Sequence, residues 1–460
     1  MVDLRPACRF RGRGNDMRNA SKSGNGWAAG TIAALLAAVL LAAPSLRAAE
    51  DVVVAKPESV GMSSERLKRI DSFIQEYIDA DRIAGAVTLV ARKGKVVHFE
   101  AQGWRDKENG VPMTEDTIFV LMSMTKPIVS TALMMLFEEG RFLLDDPISK
   151  WIPEYENHTV RLNRDGVRPL TVPEARPVTV RHVLTHTSGL TLNPQGRGLS
   201  QAQIDHVTND GKGWPTLAER VANAAVIPGA FHPGDEWQYG DSTDYVAVLV
   251  EKISGQSIDD FLRERIFEPL GMTDTYYYVP QEKVERMASV YRPDENGKIE
   301  LMVSPTYVEP TRMFRGIAGL AGTAADYLQF AQMIANGGEL NGTRLLGRMT
   351  VDNMISNHIG ADRPVYIRGG GYGFGLGFGV LTNSAQAPDA LSIGSYTWGG
   401  AYGTLYWADP VEDLIGILMI QIRPYNHLSI RPLFSNVVTQ AVVDSLSEQK
   451  PTIMGRPTPR

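Results

Sequence analysis

The 460-residue sequence holds one cysteine, Cys8, so neither a disulfide framework nor thiol chemistry organises the rest of the chain. It contains no G-x-S-x-G, which removes the strand-to-helix elbow on which one large class of serine hydrolases mounts its nucleophile. H-E-x-x-H is absent as well. His182 and His186 are four residues apart, but without that glutamate they read as hydrogen-bonding residues and not as zinc ligands. No internal repeat appears, and outside residues 27–43 no apolar run approaches the length needed to cross a bilayer.

Residues 1–49 carry seven Lys or Arg against two Asp or Glu, and 27–43 is rich in alanine and leucine ahead of Pro44-Ser45-Leu46-Arg47-Ala48-Ala49. This is the pattern of an export signal cut after Ala48 or Ala49, with an uncleaved anchor as the alternative and Met17 as a start of more ordinary signal length. Cys8 precedes the apolar run, so it is not placed for lipidation after it. Residues 50–460 keep 39 basic and 50 acidic side chains, a formal charge of about −11, which argues against nucleic acid as a partner. The expectation is a periplasmic or secreted protein with no lasting membrane insertion once the signal is removed.

Hydrophobic residues make up 43% of the chain, ample for a core. Over 63–80, Leu67, Ile70, Ile74, Tyr77 and Ile78 share one side, predicting an amphipathic helix capped by Ser63 or Ser64. The β-rich runs 85–91 and 96–103 flank Arg92-Lys93-Gly94-Lys95 and predict a hairpin. From about 140 to 310 the chain reads as short helices and loops with no βαβ alternation, which counts against a doubly wound fold. Thr323 caps a predicted helix over 323–334, with Asp326 completing an approximate capping box. Strand character returns at 375–380, 403–407 and 414–421, and a helix over 433–446 follows. The glycine-rich run 369–375 precedes no capped helix, so it reads as a turn entering a strand and not as a phosphate loop. The expected fold is a single α+β domain over 50–460, its antiparallel sheet built from both chain ends, flanked by helices, with a helical insertion.

Chemistry concentrates at Ser123-Met124-Thr125-Lys126. An apolar run leads in, Pro127 suits a first helical turn, and 128–139 continues in helical rhythm to Gly140. Ser123 and Lys126, at i and i+3, therefore share a face. A serine hydroxyl needs a base, and a lysine can serve as one. The helix start adds N–H groups where an oxyanion would form. Ser447 and Lys450 repeat the spacing, but in a polar tail without an apolar flank. Tyr239, on the turn-rich stretch between Pro233 and Asp241, is the candidate proton relay, since a neighbouring ammonium stabilises a phenolate. The stretch from Tyr396 to Gly403 supplies glycines that let backbone approach a substrate, and the Ala401 N–H is the best placed second oxyanion donor. Gly240-Asp241-Ser242 suggests another esterase nucleophile, but no downstream Asp-x-x-His accompanies it.

In this order and at these separations the three segments resemble the serine β-lactamase and penicillin-binding protein superfamily, and within it the class C β-lactamase-like esterases, family VIII carboxylesterases. Supporting strings are Val178-Thr179-Val180-Arg181-His182-Val183-Leu184-Thr185-His186-Thr187-Ser188-Gly189-Leu190, then Glu268-Pro269-Leu270-Gly271-Met272, then Gly319-Leu320-Ala321-Gly322-Thr323-Ala324-Ala325-Asp326. The resemblance implies a β-lactamase/transpeptidase-like fold and an acyl-enzyme on Ser123, with Lys126 as base and Tyr239 as proton shuttle. It implies no cofactor and no metal. Two departures bear on the substrate. Trp398-Gly399-Gly400 stands where relatives carry K-T-G or H-T-G, so a substrate carboxylate finds less charge and fewer donors. Asp241 occupies the asparagine of Y-x-N, either pairing with Lys126 or repelling an anionic substrate. Both changes point to small neutral esters. A β-lactam or D,D-peptide amide is the alternative substrate, and a non-catalytic binder or sensor is the alternative of another class.

Overall fold

The computed structural model describes residues 52–162, 170–360, 363, 365–366 and 369–444, all within one compact unit, Ala49–Arg460. The proposed signal, Cys8, Ser447 and Lys450 lie outside the described residues.

A two-residue turn sets the sheet going. Lys93 and Gly94 both take positive φ (51° and 71°), the backbone of a tight hairpin whose twist matches its strands, and they join β1 (Gly85–Arg92) to β2 (Lys95–Asp106). The remaining strands are β3 (Val111–Pro112), β4 (Tyr372–Phe374), β5 (Gly379–Leu381), β6 (Tyr396–Gly399), β7 (Leu405–Asp409) and β8 (Leu414–Met419). Together they form an eight-stranded sheet in the order β4-β5-β6-β7-β8-β1-β2-β3, antiparallel throughout. The two ends of the chain meet where β1 pairs with β8, Val87 opposite Met419 through to Arg92 opposite Leu414. Every residue of β1, β7 and β8 is buried, so both faces of the sheet are covered and these strands read as apolar runs without alternation.

Helix α1 (Ser64–Asp79) is capped by Ser63, whose hydroxyl accepts from Arg66 N, and packs on β1 and β2. Helix α2 (Thr125–Glu138) is buried from Thr125 to Leu136 and lies against α3 (Ser242–Ser254). A helix apolar on all sides belongs in the interior, and this one carries the Ser123 turn at its start. Helix α4 (Ala324–Ala335) rests on β1, β7 and β8, and α5 (Ile430–Thr439) packs on α1 and β8.

Four expectations change. The middle of the chain is not purely helical: it holds two ribbons, Thr159–Arg161 with Thr171–Pro173 and Val290–Pro293 with Ile299–Val303. The last helix begins at Ile430, ahead of the predicted start. Residues 396–399, ahead of the strand expected at 403–407, form β6. Thr323 does cap α4, accepting from Asp326 N at 3.1 Å. Asp326 does not complete a capping box, because its carboxylate accepts instead from Asp274 N (2.7 Å) and Thr275 Oγ1 (2.8 Å).

Candidate active site

Ser123 does not cap its helix. It sits in a 3₁₀ turn, Met122–Met124, that runs into α2, and Met122 just before it holds φ +49°. A long side chain in the left-handed region is an uncommon, costly conformation, and here it turns Ser123 out of the incoming β-bridge toward a half-buried, reachable position. Nothing in the sequence announced it. Lys126 follows one turn later, 3% exposed, and its Nζ donates to Ser123 Oγ at 3.0 Å and to the Ile317 carbonyl at 2.9 Å. The i, i+3 pairing read from the sequence is therefore present as a hydrogen bond.

Tyr239 reaches the same place from the loop ahead of α3. Its ring face lies 4.7 Å from Lys126 Nζ, a cation–π contact, so the ammonium meets the ring and not the hydroxyl. The hydroxyl accepts from Trp398 Nε1 at 3.3 Å. Trp398, from β6, is 2% exposed, with its ring 5.2 Å from those of Tyr239 and Phe374. The sequence reading set Trp398 among substrate-contacting residues. In the fold it lies behind Tyr239 and supplies a donor to it. His186 was read as a hydrogen-bonding residue, yet its buried Nδ1 has no partner among the described residues and its ring packs 5.0 Å from Tyr239. Burial first, and then the Lys126 charge, push the imidazole well below its ordinary range, so it stays neutral. Its neighbour in sequence, His182, does hydrogen-bond, its Nδ1 accepting from Thr179 N.

The turn joining β6 to β7 docks directly on the Ser123 turn. Gly400 is so close that an added Cβ would stand 2.3 Å from the Leu121 carbonyl oxygen, which no side chain tolerates. Ala401 follows, its N–H without a partner among the described residues. Arg431, at the start of α5 and 8% exposed, braces this turn from behind: its guanidinium donates to the carbonyls of Gly400, Gly403 (3.3 Å) and Thr404 (2.7 Å). No motif had marked Arg431, since its partners lie about thirty residues away.

Asp241 does not pair with Lys126, the first of the two readings offered for it. Its carboxylate accepts from Thr191 Oγ1 and Leu192 N, each at 2.9 Å, and lies 3.7 Å from Arg315, so it ties down the 191–192 loop and makes no contact with Lys126. Ser242, the rejected nucleophile, is buried and shares a hydrogen bond with Ser188. A cleft of about 350 Å³ adjoins the aromatic group, walled by Arg161, Arg197, Phe231, Trp237 and Tyr366 among others. Trp237 joins it to the site by stacking on Tyr239, ring centroids 6.3 Å apart. Among the described residues no cluster of His, Cys, Asp or Glu could hold a metal ion, and no helix is long and apolar enough to cross a membrane.

Comparison with known proteins agrees with this geometry. The Beta-lactamase family model matches residues 70–431. Esterase EstB of Burkholderia gladioli is 32% identical over 385 residues, covering 78% of this chain and 91% of EstB. The lovastatin esterase of Penicillium rubens is 29% identical over 378 residues, 76% of this chain and 92% of that protein. Among solved structures, EstCE1, described as a hydrolase with promiscuous acyltransferase activity, superposes with a TM-score of 0.66 at 25% identity, covering 83% of this chain and 99% of its own. A family match that runs from α1 into α5, across the whole sheet and the Ser123–Lys126 pair, places the chain in the β-lactamase family as a serine hydrolase.

Proposed function

We propose that the protein hydrolyses small neutral carboxylic esters through an acyl-enzyme on Ser123. The observation that carries this is the 3.0 Å contact between a reachable Ser123 Oγ and a buried Lys126 Nζ. To react, Lys126 first gives up a proton; its amine then takes the Ser123 hydroxyl proton while Oγ attacks the carbonyl carbon. The oxyanion that forms is met by the N–H groups of Ser123 and Ala401. Tyr239 protonates the leaving alcohol and later takes a proton from the water that attacks the acyl group, while Lys126 returns its proton to Ser123 Oγ as the bond between Oγ and the acyl carbon breaks. An indole N–H only donates, so Trp398 leaves the Tyr239 hydrogen free to point at the leaving oxygen.

The preference for a neutral ester rests on Trp398. It stands at the family's K-T-G position, buried and turned to Tyr239, and offers a substrate carboxylate neither a charge nor a hydroxyl. Relatives named as esterases support the same reading. Export to the periplasm or the medium is proposed from the 1–49 pattern, and N-terminal sequencing of protein recovered from those fractions tests it, with Glu50 or Ala49 as the expected first residue.

The test is turnover of a chromogenic short-chain ester beside a chromogenic cephalosporin, with and without added alcohol as acceptor. Ester turnover is expected, lactam turnover is expected to be weak or absent, and Ser123→Ala is expected to abolish both together with the mass increase from a serine-reactive phosphonate. A far better rate with the cephalosporin would overturn the substrate assignment. No turnover and no covalent mass increase would overturn the nucleophile.

A further inference from the structure

The amine beside Ser123 is aimed by a carbonyl that no motif contains. Lys126 ends in a flexible four-carbon stem, and its ammonium has two hydrogen-bond partners, Ser123 Oγ and Ile317 O, the second 191 residues along the chain. The direction of Nζ therefore depends on where Ile317 is held.

The segment bearing Ile317 is fastened at both ends. Downstream, Leu320 O accepts from Leu121 N (2.9 Å), Leu320 N donates to Thr125 Oγ1 (3.1 Å), and Ala321–Gly322 pairs with Phe119–Val120, so the strand runs alongside the Ser123 turn. Upstream, one carboxylate accepts from both Arg315 Nε and Ile317 N. Asp244, in the first turn of α3 and 0% exposed, accepts from Arg315 Nε through Oδ2 (2.7 Å) and from Ile317 N through Oδ1 (3.1 Å). Gly316, between these donors, lies against α3 so tightly that a Cβ would meet Thr243 O at 2.2 Å. Burial pushes the Asp244 carboxyl up and the Arg315 guanidinium opposes this. A carboxylate deprived of water is tolerable only with donors, and both side-chain partners of Asp244 among the described residues come from 315–317.

We propose that Asp244, with Arg315, is a positioning residue for Lys126: it holds Ile317 by its N–H so that the Ile317 carbonyl keeps the amine within hydrogen-bond reach of Ser123. Ile317 is thereby gripped at both of its backbone polar atoms, by Asp244 on one side and Lys126 on the other. Asp241 stands 3.7 Å from Arg315 and leaves Ile317 untouched, so it cannot replace Asp244. The proposal rests on Ser123 and Lys126 being the reacting pair.

The test compares full-length Asp244→Asn, Arg315→Lys, Lys126→Ala and the Asp244→Asn/Lys126→Ala double variant, using ester turnover and the rate of phosphonate labelling at Ser123. Asp244→Asn is expected to lower kcat and the labelling rate about 10- to 100-fold with KM changed less than about 3-fold, the signature of a displaced reacting group. In the Lys126→Ala background the same substitution is expected to change residual labelling by less than about 3-fold, because the amine it positions is gone. Arg315→Lys keeps the charge without the guanidinium fork; it is expected to lose activity in the same pattern to a smaller degree, and it decides the matter if Asp244→Asn does not fold. Equal losses from Asp244→Asn in both backgrounds would mean general destabilisation and overturn the proposal, as would wild-type kcat in Asp244→Asn or in Arg315→Lys. Wild-type protein that neither turns over ester nor takes up phosphonate would instead overturn the nucleophile assignment.

Discussion

Tyr239 is fixed by its neighbours more than by its own loop. His186 and Trp398 pack on its ring, Trp237 stacks behind it, and one hydrogen bond from Trp398 sets the direction of its oxygen. The sequence marked Tyr239 through its place ahead of α3, but it could not say which way the Trp398 indole points, because that depends on β6 passing 159 residues away in the chain. Trp398→Phe keeps the ring packing and removes only the donor. A neutral hydrogen bond contributes about 1 kcal/mol, so the expected result is a kcat about 5-fold lower with KM little changed. Steady-state kinetics on the short-chain ester measures it, and an unchanged kcat would show that the indole N–H does not orient the phenol.

At the scale of elements, the site is made where two turns touch. The Met122–Met124 turn and the turn after β6 belong to opposite halves of the chain, and they approach closely enough that Gly400 has no room for a methyl group. Gly400→Ala is expected to push Ala401 away from Ser123 while the β6–β7 register, Tyr396 opposite Ala408 through Gly399 opposite Leu405, holds the hairpin together. Loss of one oxyanion donor lowers kcat about 10²- to 10³-fold in comparable sites, so ester turnover should fall by that order while circular dichroism stays native. Retained turnover would mean that Ala401 N–H is not a donor. Elements whose signals are local were legible beforehand: Ser63 capping α1, Thr323 capping α4 and the Lys93-Gly94 hairpin all involve partners within four residues. Met122 at positive φ and Arg431 bracing the β6–β7 turn were not: no local pattern marks a left-handed methionine, and the carbonyls that Arg431 holds lie 27 to 31 residues from it.

For the whole molecule, burying neutral histidines costs stability in acid. Burial pushes His98 down to about 4, and burial followed by the Arg176 charge does the same to His182. Burial also holds His186 well below its ordinary range and lowers His358. An unfolded histidine binds a proton near 6.5, so between there and pH 4 the unfolded chain holds protons that the folded chain refuses. Stability is therefore complete above about pH 6.5 and falls as the pH drops through that window, by about 3 kcal/mol for His98 and somewhat less for the half-buried His182. Asp326 works the other way: burial lifts its carboxyl to about 6, so the folded state gains relative stability as the pH falls toward 4. Burial raises Asp71, Asp244, Glu251, Asp259 and Glu412 in the same sense and lowers His427, so the two sets oppose each other and the test is made on one histidine: His98→Gln is expected to make the urea midpoint fall less between pH 7 and pH 4.5 than it does in the wild-type protein. An identical fall in the two proteins would mean that His98 is not held neutral.

The sequence by itself determined whatever depends on spacing along the chain: the Ser123–Lys126 pair on one helical face, the caps and the hairpin turn, and an α+β domain whose sheet draws on both ends. Those features are set by backbone geometry within a few residues. Only the tertiary structure decided where Trp398 and Asp241 point, that His186 is buried beside Tyr239, and that Asp244 grips the backbone which aims Lys126. Each of these is a contact between segments tens to hundreds of residues apart, where burial forces a polar group to take whatever partner the fold brings to it.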